Sequence, residues 1–242
     1  DQLVDLFVQI NGMIVEGSRK PEEVLRFIRR VVDDPDYIRL LDVVVSKPND
    51  MLRQARLDSP SVDERLAEQL RFYQEVFGLA VDVSDIEIPA EQPGFGWLLV
   101  VPQGMTLNQA WAKCQERFPS QSYLGDNLDK AVPTNDRTPT SSYAKLFRDR
   151  VEVDEENKDL SANELAERKV QSITLLERIL LELWYHWKTG EHLDVVNTTL
   201  CAGSRSSDGY VPYVFYWGEG EFGVGCRHPG DADGYLRSRS AV

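Results

Sequence analysis

Few side chains in this sequence could do covalent chemistry, and they do not assemble into a recognisable set. The 242 residues hold three histidines, His186, His192 and His228, and three cysteines, Cys114, Cys201 and Cys226. Nucleophilic catalysis needs a nucleophile, a base and a group that orients the base. Cys201 with His192 would supply a thiol and an imidazole, but no local motif surrounds either. His186 lies inside an apolar stretch and His192 just after it, places that suit burial or capping. Three cysteines allow one disulfide at most and form no C-x-x-C metal knuckle. Glu219, Glu221, Asp231 and Asp233 could offer oxygens to calcium. That ion takes roughly six to eight ligands, however, and the spacing shows no such loop. These acids read as solvated turns, so no catalytic residue, metal ligand or cofactor is expected.

Charge narrows the partners further. Forty acidic against 27 basic residues give a formal charge of −13, a field that repels phosphate backbones and anionic lipid heads. Arg227, His228, Arg237 and Arg239 are too few to reverse it locally, so nucleic acid is not expected as a partner. No apolar run approaches the roughly 20 residues of a membrane span, and no basic-then-apolar signal pattern opens the sequence. Hydrophobic residues at 42% and charged residues at 28% suit a folded protein with a real core. Nothing in the sequence assigns a cellular location.

The elements that must position any site change character along the chain. Leu3, Leu6, Phe7, Ile10 and Ile14 recur at helical spacing, and Pro21 with Glu22 and Glu23 opens a second helix that ends at Asp33. A third helix is expected from Val62 to Phe77, stopped by Gly78. Residues 1–80 therefore read as a mainly helical N-terminal region, and residues 81–242 as a second domain. In the latter, Val83, Ile86 and Ile88 are β-prone, and residues 97–101 form an apolar run of strand length. Thr106 with Gln109 is a capping box for a helix to Phe118, and residues 119–139 read as an extended loop. Ser161 with Glu164 is a second capping box, opening one long helix that ends at Gly190 and is buried around residues 179–187. The fold class is α+β.

From Cys201 onward the vocabulary narrows: eight of the 16 glycines and four of the nine tyrosines lie there, with no Lys, Gln, Asn, Thr, Met or Ile. Such a composition fits a turn-rich β region and equally a contact surface, where tyrosine supplies amphipathic area at low entropy cost. Alternation separates the two. Phe222, Val224 and Cys226 share one face of a strand, with Gly223, Gly225 and Arg227 on the other. Tyr213 and Phe215 oppose Val214 and Tyr216 in the same way, so aromatics occupy both faces although a core needs only one.

The residues Cys201 to Arg205, Asp208, Gly209, Val211, Pro212, Val214, Trp217, Gly220, Glu221, Val224, Pro229 and the terminal Leu236, Arg237, Ser238, Arg239, Ala241 and Val242 carry a resemblance. They resemble the variable region of diversity-generating retroelement target proteins, of the type found in uncultivated archaea. The resemblance is specific over about residues 201–242 and extends from Gly96 in element order. It implies a C-type lectin-like fold used as a binding scaffold, no enzymatic activity, and a partner that is a protein or surface ligand differing from copy to copy. It also implies variable positions, produced when adenines of AAY template codons are scrambled into NNY codons. These are Ser206, Tyr210, Tyr213, Phe215, Tyr216, Gly223, Gly225, Cys226, Arg227, His228, Gly234 and Tyr235, all of them residues that NNY encodes. Trp217, Glu219 and Glu221, which NNY cannot encode, stand at framework places. Two other readings share the fold: a carbohydrate-binding lectin, whose Glu-Pro-Asn or Gln-Pro-Asp cluster this sequence lacks, and an enzyme of the formylglycine-generating type using a cysteine pair. The terminal residues 236–242 are expected to pair near residues 97–101, because an unpaired strand would expose backbone donors and acceptors.

Overall fold

A computed structural model describes residues 60–217 and 220–242, apart from the Trp217 side chain. The two helices expected before residue 34, and the ring of Trp217, lie outside the described residues. In chain order the first elements are α1 (Val62–Phe77), β1 (Trp97–Val101), α2 (Leu107–Arg117), β2 (Ser120–Ser122), α3 (Leu128–Ala131), β3 (Thr134–Asn135) and β4 (Tyr143–Phe147). Then come α4 (Ala162–Glu167), α5 (Leu175–Thr189), β5 (Thr198–Leu200), β6 (Ser204–Arg205), β7 (Val211–Trp217), β8 (Glu221–Arg227) and β9 (Leu236–Arg237). The mixture is α+β, as expected.

Helix α1 has the expected bounds, fixed by a Ser61–Glu64 capping box and by Gly78 at φ 67°. Its inner face does more than fill space. One edge of β1 pairs with β4; toward the other edge, the Val100 N–H donates to Gln69 Oε1 at 3.1 Å and the Val100 carbonyl accepts from the Tyr73 hydroxyl at 2.5 Å. The helix thus satisfies strand groups that would otherwise be buried without partners. Phe72, Tyr73 and Val76 join the main core, and the compact unit runs Ser61–Val242. Helix α1, expected as part of the N-terminal region, thus packs with residues beyond 80.

Helix α2 starts at its predicted Thr106–Gln109 box. The stretch 119–139, expected as loop, instead holds β2, α3 and β3. Each is too short to show a period, and the strands exist because β8 pairs with β2 and β6 with β3. No strand forms around Val83, Ile86 and Ile88. The single helix expected after Ser161 is two. Ser161 and Glu164 cap the short α4, and a second box, Thr174 with Glu177, opens α5. Between them the chain is drawn out to meet the C-terminus: Ile173 N–H bonds the Arg239 carbonyl at 2.9 Å and Ala241 N–H the Gln171 carbonyl at 2.7 Å. Two backbone bonds from a distant segment outweigh continued helix. Helix α5 is buried on all sides over its first ten residues, 175–184, and touches α1, α2, β1 and β7; of the stretch 179–187 expected to be buried, Tyr185, His186 and Trp187 are only half-buried.

The largest sheet has the order β2-β8-β7-β5-β9, with β2–β8 and β5–β9 parallel and the rest antiparallel. Val214, Phe222 and Val224 turn one of its faces to the main core. The opposite face is covered toward β9 by a second apolar cluster that includes Leu165 of α4, Leu200, Val211 and Leu236. The terminal segment reaches the β1–β4 ribbon on its β4 side: Ala241 pairs with Phe147, and Leu146 and Val242 exchange two 3.0 Å bonds. It is thus β4, not β1, that binds the tail, because the outer groups of β1 are already occupied by Gln69 and Tyr73.

Candidate ligand-binding face

The β7–β8 hairpin decides which side chains can meet. Its register sets Tyr213 opposite Gly225, Phe215 opposite Gly223, and Val211 opposite Arg227. Directly paired residues share a face, so both aromatics lie over glycines. A methyl group on Gly223 would stand 2.7 Å from Cε1 and Cε2 of Phe215, and one on Gly225 2.7 Å from the Tyr213 Cζ and hydroxyl oxygen. The rings have reclined onto the bare backbone of β8, a packing that no residue with a Cβ would allow. Their centroids are 5.3 Å apart with planes 37° from parallel.

The row continues in both directions. Tyr123, just beyond β2, stands 6.2 Å from Phe215 with its plane 31° away, and it is 60% exposed. On the other side the Arg227 guanidinium lies 5.4 Å from the Tyr213 centroid and 5.5 Å from that of Tyr235, which is 48% exposed. Asp233 pairs with Arg227 at 2.6 Å and the Tyr235 hydroxyl accepts from it at 2.8 Å. Tyr123, Phe215, Tyr213, Arg227 and Tyr235 thus form one continuous contact series. Tyr123 escapes sequence reading because its strand is three polar residues long, placed only by β8; its N–H donates to the Val224 carbonyl at 2.9 Å.

Six expected positions, Tyr213, Phe215, Gly223, Gly225, Arg227 and Tyr235, are brought together. Tyr210, 42% exposed, and His228 meet edge to face at 6.0 Å just past the Val211–Arg227 end of the ladder, and Gly234 is exposed in the turn before Tyr235. Three others lie elsewhere. Ser206 is buried and its hydroxyl donates to Asp208 at 2.5 Å, fixing the turn that Gly209 completes at φ 87°. Cys226 is on the core side of β8, and burial pushes its thiol up to about 11. Tyr216 also points inward: its hydroxyl donates to the fully buried Glu182 carboxylate at 2.5 Å and its ring packs on Phe222. Alternation puts an aromatic on that face, and a polar anchor in the core keeps it there.

That anchor belongs to a charged network beneath the sheet. Glu182 also accepts from Arg178 at 2.7 Å and bonds His192 Nδ1 at 2.8 Å. Arg178 and Arg239, both fully buried, converge on Asp194. Burial would raise both carboxyls, but the guanidiniums and hydrogen bonds outweigh it and hold them below their ordinary values. His192 is therefore tied to Glu182 and Tyr216, and Cys201 is a fully buried thiol raised far above its ordinary value by burial. Cys201 and Cys226 are free and lie on either side of Pro212 in the ladder. Among the described residues no group of three or more His, Cys, Asp or Glu is placed to hold a metal ion, and no helix is long and apolar enough to cross a membrane.

No family model matches this chain, nor does any curated protein or solved structure.

Proposed function

We propose that this chain is a ligand-binding protein rather than an enzyme. Its β7–β8 face is a recognition surface of exchangeable side chains on a C-type lectin-like scaffold, diversified by a retroelement reverse transcriptase. The observation that carries the reading is the division of one hairpin into two faces. Val214, Phe222 and Val224 are fully buried in the main core, while the residues between them build the open series of rings and Arg227. Side chains on the open face can change without disturbing the frame beneath, as a surface that varies from copy to copy requires. Aromatic and Arg side chains are also the usual anchors of binding energy.

The genetic test is sequencing of the surrounding DNA and of many copies of the gene. The expected result is a near-copy of the codons for residues 201–242 beside a reverse-transcriptase gene, with differences confined to adenines of the copy. Sequence variation spread evenly over buried and open positions of β7 and β8 would remove the reading. The physical counterpart is a stability comparison. Tyr235→Ser should change unfolding free energy by about 0.5 kcal/mol or less, as exposed substitutions usually do. Val224→Ala should cost roughly 1–3 kcal/mol through lost burial and the cavity left behind. Equal costs by denaturant titration would make the hairpin ordinary core on both faces.

A further inference from the structure

We propose that Tyr123, which lies outside the exchangeable residues 201–242, is a constant anchor that meets a protein partner in every version of the recognition face. The proposal rests on the binding-face reading and adds a residue that exchange does not reach. Strand β2 pairs Gln121 with Gly223, so Gln121, and Tyr123 two residues on, fall on the open side of the sheet with Gly223 and Gly225. The contact with Phe215, ring centroids 6.2 Å apart, agrees with that placement. Tyr123, Tyr210 and Tyr235 are the three most exposed tyrosines among the described residues, and all three gather at this face. Single exposed aromatics scattered over a surface are ordinary; three in one place are a patch.

The backbone that carries Tyr123 is fixed by groups that exchange leaves alone. Its N–H donates at 2.9 Å to the carbonyl of Val224, a fully buried framework residue. The Ser122 hydroxyl accepts from the Leu124 N–H at 3.1 Å, and Leu124 packs against the main core. Replacing Phe215 would therefore remove a neighbour and leave Tyr123 in place. A protein is the partner that such a surface fits. From Tyr123 to Tyr235 the five members of the series stand 5.3–6.2 Å apart, a row that suits another protein's surface better than a single sugar ring. Tyrosine gives wide, rigid, amphipathic contact at low entropy cost, and tyrosine and arginine rank among the usual binding anchors. A fixed tyrosine supplies a common contact to any partner, and its exchangeable neighbours select among partners.

The test is a displayed library of the full chain with NNY codons at Tyr210, Tyr213, Phe215, Gly223, Gly225, Arg227 and Tyr235, selected separately against lysozyme, ribonuclease A and serum albumin. In binders to all three, Tyr123→Ser should weaken affinity roughly five- to thirtyfold, and Tyr123→Phe should retain most of it. Leu79→Ser, an exposed change beyond the end of α1, should leave affinity unchanged. The Tyr123 ring signals should also shift in the nuclear magnetic resonance spectrum as each partner is added, a readout that needs no variant. Losses confined to one partner, binders indifferent to Tyr123→Ser, or ring signals that stay put on binding would each overturn the anchor while leaving the binding face intact. If the library yielded no binder to any of the three proteins, the binding face itself would fall, and the anchor with it.

Discussion

At the scale of single residues, the buried charges show how much one side chain can hold in place. Asp194 receives Arg178 and Arg239 together with the Thr199 hydroxyl, and its backbone sits at a positive φ of 55°. Asp194→Asn keeps the shape but leaves two guanidiniums short of a counter-charge, so it should cost about 3–5 kcal/mol by denaturant titration. The same carboxylates govern acid behaviour. Asp194 and Glu182 have folded-state values below their ordinary ones. Their contribution is therefore complete above the unfolded values, near pH 4, and is lost as pH falls through the lowered folded values. His186 acts earlier. Burial, and then the neighbouring His192, lower its folded value, so protonation in the unfolded state should begin to erode stability as pH drops below about 6.5. Melting curves from pH 7 to 3 should show a shallow decline and then a steep one. A flat profile across both ranges would contradict both assignments.

At the scale of elements, the hairpin works because glycines and aromatics are paired across it. Gly223→Ala would set a methyl group 2.7 Å from Phe215 ring carbons, but those atoms are the free end of a flexible side chain. The ring should lift at a cost on the order of 1 kcal/mol, not unfold the sheet. The decisive readout is therefore local. In the parent, the Phe215 ring should shift the Gly223 Hα signals upfield, and in Gly223→Ala that shift should vanish with little change in melting temperature. An unshifted Gly223 in the parent would mean that the ring does not lie where the structure puts it. Helix α1 offers a second case: its bounds were legible in the sequence, but the role of Gln69 and Tyr73 as partners of β1 depends on where that strand lies.

At the scale of the whole molecule, the C-terminal residues tie separate parts together. Leu236 fills the second cluster, Arg239 completes the buried ion network, and Ala241 with Val242 pairs with β4. Deleting residues 236–242 removes all three at once and should abolish cooperative unfolding by heat and by urea. A truncated chain that melted like the parent would show these contacts to be incidental.

Sequence alone determined what is local. Capping boxes at Thr106 and Ser161, the glycine stop at Gly78, the apolar run of β1 and the alternation of β7 and β8 each depend on neighbours a few residues away, and each appears in the structure. Alternation also found five residues of the face, Tyr213, Phe215, Gly223, Gly225 and Arg227, because a period of two assigns sides without knowledge of the partner strand. It set Tyr213 and Tyr216 on opposite faces, but only the core shows that Glu182 waits behind Tyr216 while Gly225 lies beneath Tyr213. Tertiary structure alone decided the rest. Strand β2, the break between α4 and α5, and Tyr123 in the ring series arise from backbone groups satisfied by segments tens of residues distant. Such pairing leaves no trace in local periodicity, because its free energy comes from the partner and not from the sequence that accepts it.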